Sequence, residues 1–146
     1  MAEETANTSA KDEVWFLDSG CNNHMIGNKE WLFNFDEQFR ELVKLGDDSK
    51  MSVMRRGHLK LCIGGIIQVI TDVYYLPDFK NNLLSTGQLQ QKILTIVFSK
   101  DSCKVYHENK GLIMYTQVSY NRMYVIYATV VIPMCLKAAN TSDTKL

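Results

Sequence analysis

The sequence has no excess of either charge. Sixteen Lys and Arg face sixteen Asp and Glu across 146 residues, and they are scattered along the chain. A duplex-binding domain carries a basic patch that displaces counterions, so nucleic acid is not an expected partner. The four cysteines, Cys21, Cys62, Cys103 and Cys135, form no Cys-x-x-Cys pair. Their wide spacing suits no common zinc signature, so no metal and no cofactor are expected. Residues 1–12 are polar and acidic and lack the apolar core of a signal peptide. The longest apolar stretch, residues 124–136, is interrupted by Thr129 and Pro133 and is too short to span a bilayer. These absences argue against secretion and against a membrane. They favour a cytoplasmic or nuclear setting with reduced thiols. No internal repeat is present.

What remains is one domain's worth of chain, 46% hydrophobic, which is enough to bury a core. Residues 1–13 read as a flexible leader and residues 137–146 as a polar tail, with residues 1–12 and 137–146 expected to be poorly ordered. The run Val14-Trp15-Phe16-Leu17 is a buried strand entering a turn at Asp18-Ser19-Gly20. Residues 28–33 suit a short helix with Asn28 as N-cap. Trp31, Phe33 and Phe35 are expected core anchors. Residues 42–45 and 51–54 flank a polar turn and form a hairpin. A second hairpin joins residues 58–63 to 66–70 through Gly64-Gly65. Residues 72–76 make a further strand, stopped by Pro77. A helical turn fits residues 85–92. Strands at residues 94–98, 103–107 and 112–115 form a β-meander, and residues 124–127 form a last strand. Many short strands at close spacing predict an all-β barrel or sandwich.

One tripeptide carries a chemical logic. An Asp at the end of an apolar strand, followed by a hydroxyl residue and Gly, has its carboxylate fixed by the strand. The Ser19 hydroxyl can hydrogen-bond across an interface or to nearby backbone, and Gly20 permits a sharp turn and close approach. Two such carboxylates facing each other cannot both ionise easily. They share a proton, one acting as base on water and the other as acid on a peptide. Taken alone, Asp-Ser-Gly is a common turn tripeptide.

Its surroundings are specific. The block from Val14 through Asp18-Ser19-Gly20-Cys21-Asn22-Asn23-His24-Met25 closely resembles the start of the protease region of copia-type retrotransposon Pol polyproteins. So do Leu45-Gly46-Asp47-Asp48-Ser49-Lys50, Val73-Tyr74-Tyr75-Leu76-Pro77 and Lys80-Asn81-Asn82-Leu83-Leu84-Ser85-Thr86-Gly87-Gln88-Leu89. These four ordered blocks cover about residues 14–98. The resemblance implies a small retropepsin-like β-barrel over residues 14–98, followed by a short β-meander extension. Cys103-Lys104-Val105-Tyr106, Lys110-Gly111-Leu112-Ile113 and Asn121-Arg122-Met123-Tyr124 resemble the segment between protease and integrase. Residues 99–136 are therefore read as a pre-integrase-like segment, and the chain as a truncated piece of a polyprotein.

Residue by residue, the resemblance makes Asp18 the catalytic aspartate and Ser19 and Gly20 its motif companions. Leu83, Leu84 and Gly87 match the second apolar-then-Gly element that supports the active-site loop. Residues 51–67 occupy the position of the substrate-covering flap, with Arg55, Arg56 and Gly57 as flap candidates. Three departures stand out: Arg55-Arg56-Gly57 for Gly-Lys-Gly, Pro77-Asp78 for Pro-Gly, and Lys92-Ile93-Leu94 for Lys-Gly-Leu. Where glycine serves a positive φ or a close approach, a bulkier residue costs about 1 kcal/mol or more. The three lost glycines count against activity more than against the fold.

Competing assignments are weaker. His24 has no partner at metal-ligand spacing, and His58 and His107 fall on other strands, so a structural histidine is favoured. Cys21 as a nucleophile lacks an orienting third group. Arg55 and Arg56 are more often solvated than phosphate-bound, and tyrosines 115–127 suit strand packing better than a base-stacking platform. Two functions fit: an aspartic endopeptidase acting on polypeptide as a homodimer with one Asp per chain, or an inactive β-barrel remnant.

Overall fold

A computed structural model of the chain describes residues 12–90, 94–117 and 124–133. Residues 1–11, 91–93, 118–123 and 134–146 lie outside them, and with them the polar tail, the Lys92-Ile93 departure and all of the expected leader except Asp12 and Glu13, which begin the first strand. The described chain is mostly strand and almost free of helix. In β1 (Asp12–Asp18) alternate side chains Trp15 and Leu17 point inward and are buried. β2 (His24–Ile26) follows. Asn28 then caps a single 3-10 turn, Lys29–Trp31, its Oδ1 accepting the Glu30 N–H at 3.0 Å. The short helix expected over residues 28–33 ends there, because Phe33 already opens the strand β3 (Phe33–Asp36). Trp31 is buried with its ring 5.9 Å from that of Trp15. Phe33 is half-buried, whereas Phe35 is 37% exposed. Phe35 is not a core anchor, because it lies outside beneath the Arg55 guanidinium, 4.4 Å from the ring centre.

The polar turn at residues 45–49 joins β4 (Glu41–Lys44) to β5 (Lys50–Val53), as the sequence predicts. The long hairpin follows: β6 (Arg55–Ile63) and β7 (Ile66–Tyr75) turn at Gly64-Gly65, both at positive φ. A Cβ on Gly64 would run into the Ile113 carbonyl, so the turn needs glycine for contact as well as for φ. Residues 66–70 and 72–76, expected as two strands, are one strand with a bulge. Its register against β6 shifts between Gly57 and Leu59, and Asp72 takes φ 59°. The bulge flips the inward parity from Gln68 and Ile70 to Val73, which imitates a break in the pattern.

β8 (Leu83–Ser85) leads into the one-turn α1 (Thr86–Leu89), with Ser85 as N-cap. β9 (Leu94–Phe98), β10 (Ser102–His107) and β11 (Gly111–Gln117) form the expected meander as a separate three-stranded sheet. The last strand is β12 (Tyr124–Val131).

The barrel has six strands, ordered β12-β1-β8-β2-β7-β6, and closes through β12 against β6. β12 runs antiparallel to β1 over six pairs, from Asp12↔Thr129 to Leu17↔Tyr124. The closing strand thus comes from the segment beyond residue 98, where the resemblance places the meander extension. Closure removes the sheet edges that would otherwise recruit other chains. One core unites both parts. Trp15, Leu61, Leu84 and Ile126 of the barrel pack in the same cluster as Ile96 and Val105 of the meander.

A chain ending at residue 98 should therefore fail to fold cooperatively. It lacks the strand that covers β1 and the buried Ile126, Ala128 and Val130. Urea unfolding followed by tryptophan fluorescence checks this; a full-length-like sigmoidal transition from the shortened chain contradicts it.

Candidate functional site

Asp18 is the last residue of β1, and its carboxylate turns back on the loop that follows. Oδ1 accepts the Gly20 N–H at 2.8 Å, an Asx-type turn that fixes the side chain. Gly20 is not in the left-handed region, and a Cβ there would lie 3.4 Å from that oxygen. Ser19 is exposed and Asp18 half-buried.

The loop is held from behind by β8. That strand runs parallel to β1, pairing Asp18 with Ser85, and antiparallel to β2. Buried Ser85 makes three hydrogen bonds. Its Oγ donates to the Cys21 carbonyl at 2.7 Å and accepts the Gln88 N–H at 3.5 Å, and its N–H donates to His24 Nδ1 at 3.0 Å. Gln88 Nε2 adds a bond to the Asn22 carbonyl at 2.7 Å. The bond to Nδ1 requires that nitrogen to be unprotonated, which gives buried His24 a structural role. Leu84 is core and Leu83 lines the cleft, while a Cβ on Gly87 would meet nothing closer than 3.9 Å. Of the support residues expected from sequence, Leu83 lines the cleft and Leu84 pairs with Leu17 in the core behind it. Ser85 and Gln88 carry the polar bonds, and the sequence marked them only as parts of a matching block.

In front of Asp18 lies a cleft of about 700 Å³. Phe16, Met25, Phe79 and Leu83 make it apolar, and the turn residues Leu45 and Gly46 of the β4–β5 hairpin line its far side. A polar compartment of about 300 Å³ adjoins it between Asn22-Asn23 and β4. The hairpin facing Asp18 is thus β4–β5, at the Leu45-to-Lys50 block. Arg55, Arg56 and Gly57, the flap candidates, lie elsewhere. They begin β6, opposite Tyr75, Tyr74 and Val73, and do not line the cleft. Arg55 lies over Phe35 of β3, and Arg56 is 4.7 Å from the Phe39 ring in the β3–β4 connection. Gly57 is retained where a Cβ would sit 2.6 Å from Phe35 Cβ. Asp78 is exposed and not at positive φ, so the second lost glycine costs no backbone strain.

The alternative assignments separate in space. Tyr115 and Tyr127 are both more than half exposed on different sheets, which makes neither a core residue. Cys21 borders the cleft, but burial and then the neighbouring Asp18 charge push its thiol pKa up. That keeps it protonated and disfavours a nucleophilic cysteine. No helix among the described residues is long and apolar enough to cross a membrane.

A family model described as the β-barrel domain of the Pol polyprotein matches residues 15–94. The putative transposon Ty5-1 protein of Saccharomyces cerevisiae is 29% identical over 77 residues, 53% of this chain and 50% of that protein. The chain therefore spans about half the length of this curated relative. No solved structure matches it.

The thiols give a pH test. Burial raises Cys103 from an ordinary 9.0 to about 11. The folded state then holds this proton more tightly than the unfolded chain. The resulting stability is fully present below pH 9 and is lost as pH rises toward 11. Denaturant unfolding should show the parent losing more stability than Cys103→Ala across that window, by on the order of 1–3 kcal/mol. Parallel pH profiles for the two proteins would refute the assignment.

Proposed function

We propose that this chain, which belongs to the family of Pol polyprotein β-barrel domains, is an aspartic endopeptidase of a retrotransposon polyprotein, working as a homodimer. The observation that carries this reading is the placement of Asp18. It ends a core strand, its rotamer is fixed by the Gly20 N–H, and it opens onto an apolar cleft beneath a hairpin. An extended polypeptide fits such a cleft, with apolar side chains against Phe16, Met25 and Leu83.

The chemistry calls for two carboxylates, and the sequence has one Asp followed by Ser or Thr and Gly. Asp72 lies on the β7 bulge and Asp101 in the turn between β9 and β10. A second chain supplies the second Asp18. In the pair one acid is ionised and the other protonated. The ionised Asp18 takes a proton from water, whose oxygen attacks the peptide carbonyl carbon. The protonated Asp18 gives its proton to the carbonyl oxygen. Collapse of the tetrahedral diol breaks the C–N bond: the Asp18 that took the water proton gives it to the amine nitrogen, and the other Asp18 takes a diol hydroxyl proton, which restores the singly protonated pair. No cofactor enters these steps. The lost glycines at positions 55 and 78 do not argue for the inactive remnant, because neither lies in the hairpin facing Asp18. Arg55→Gly is expected to loosen the Phe35 contact and not to restore a flap.

Asp18→Asn keeps size and hydrogen-bonding reach but removes acid–base function. Peptide cleavage below neutral pH should fall by about 10²–10⁴-fold or more, with unchanged circular dichroism and thermal midpoint. Sedimentation equilibrium at micromolar concentration should show dimer. Cleavage surviving in Asp18→Asn would falsify the site; a strict monomer that cuts nothing leaves the inert barrel remnant as the function.

A further inference from the structure

The β4–β5 hairpin lines the cleft, yet among the described residues its strands pair with each other and not with the barrel sheet. Its angle over Asp18 is therefore set at its feet and by its apolar underside. The feet are Arg40, directly before β4, and Met54, directly after β5. Arg40 Nη1 donates to three backbone carbonyls: Glu37 at 2.9 Å, Phe39 at 2.7 Å and Met54 at 2.8 Å. One nitrogen thus ties the incoming and outgoing ends of the hairpin together. Met54 is in turn fixed to the barrel, its N–H donating to the Tyr75 carbonyl at 2.9 Å. Tyr74 donates its hydroxyl to Glu41 Oε1 at 3.3 Å. The incoming segment is held from the other side by Arg55, 3.7 Å from the Glu37 carboxylate and stacked on Phe35, and by Arg56 stacked on Phe39.

We infer that Arg40 is a positioning residue, a clamp that sets how far the β4–β5 turn stands from Asp18. The inference rests on the reading of this hairpin as the cover of the substrate cleft. The leverage is geometric. Four residues of β4 extend about 13 Å at roughly 3.3 Å each, so a tilt of about 10° at the foot moves Leu45 and Gly46 by about 2 Å. That displacement separates contact with an extended peptide from no contact. A guanidinium suits the task because it stays protonated and supplies donors without needing an anionic partner.

The test compares parent, Arg40→Met and Arg40→Lys by amide hydrogen exchange of the full chain. Methionine fills similar apolar space but donates nothing. A lysine ammonium offers three donors to the same three carbonyls. Arg40→Met should accelerate exchange in β4 and β5 about tenfold or more, leaving β1, β6 and β12 unchanged. Arg40→Lys should recover most of the protection. Where the parent cuts peptide, Arg40→Met should raise KM several-fold with kcat changed by less than about twofold, since the clamp positions substrate without touching the reacting atoms. Unchanged hairpin exchange in Arg40→Met, or acceleration spread equally over the barrel, overturns the inference. A parent without peptidase activity whose hairpin still loosens in Arg40→Met retains the clamp and sinks the endopeptidase reading instead.

Discussion

The insertion of β8 between β1 and β2 is the constraint on which the site depends. These two strands are consecutive in the chain, yet they do not pair; β8, some sixty residues later, runs between them. Strands in a sheet lie about 4.8 Å apart, so the five residues from Ser19 to Asn23 must cross roughly 10 Å around the end of β8. A tight hairpin cannot do this. The loop is forced wide, and its backbone groups look for partners outside the ladder. Ser85 and Gln88 supply them, at the Cys21 and Asn22 carbonyls. The carboxylate of Asp18 sits at the mouth of the barrel because the strand carrying it ends where the loop departs.

Local pattern revealed what is local. A continuous apolar run gave β1, turn residues gave both hairpins and the meander, and Asn28 gave the cap of the 3-10 turn. Long-range pairing was not legible: nothing in residues 124–131 says that they lie between β1 and β6. The β7 bulge was hidden because a change of inward parity looks the same as a chain break. Phe35 was misplaced because an aromatic in a strand is expected inside, while here it is covered by a guanidinium. The site was legible through Asp18-Ser19-Gly20 and its neighbouring blocks. The hairpin lining the cleft was found as a hairpin, but position along the chain did not reveal that its turn, at Leu45 and Gly46, is the one that reaches the cleft.

Glycine loss illustrates why identity must be read with geometry. Arg55 occupies extended strand and Asp78 a turn without positive φ, so neither demands glycine. Gly27, Gly57 and Gly64 are different. A Cβ on Gly27 would strike the Phe79 carbonyl, on Gly57 the Phe35 side chain, and on Gly64 the Ile113 carbonyl. Glycine stands at these three crowded positions, whereas Arg55 and Asp78 stand where φ makes no demand for it. Both arginines at 55 and 56 have acquired packing roles against Phe35 and Phe39.

The apolar residues divide in a way that matches this layout. The large cluster binds the barrel to the meander sheet through Trp15, Leu61, Ile96, Val105 and Ile126. A second, smaller cluster lies under the hairpin. Val53, Met25, Tyr74 and Leu76 form its buried part, with Val43, Leu45, Met51, Phe79 and Leu83 against it. The hairpin's Val43, Met51 and Val53 belong to the second cluster and not to the first. The free-energy cost of exposing the cleft is thereby separated from the cost of unfolding the barrel. Asp18 ends the strand that carries Trp15 and Leu17 of the large cluster, so its position is tied to the main core and not to the packing under the hairpin.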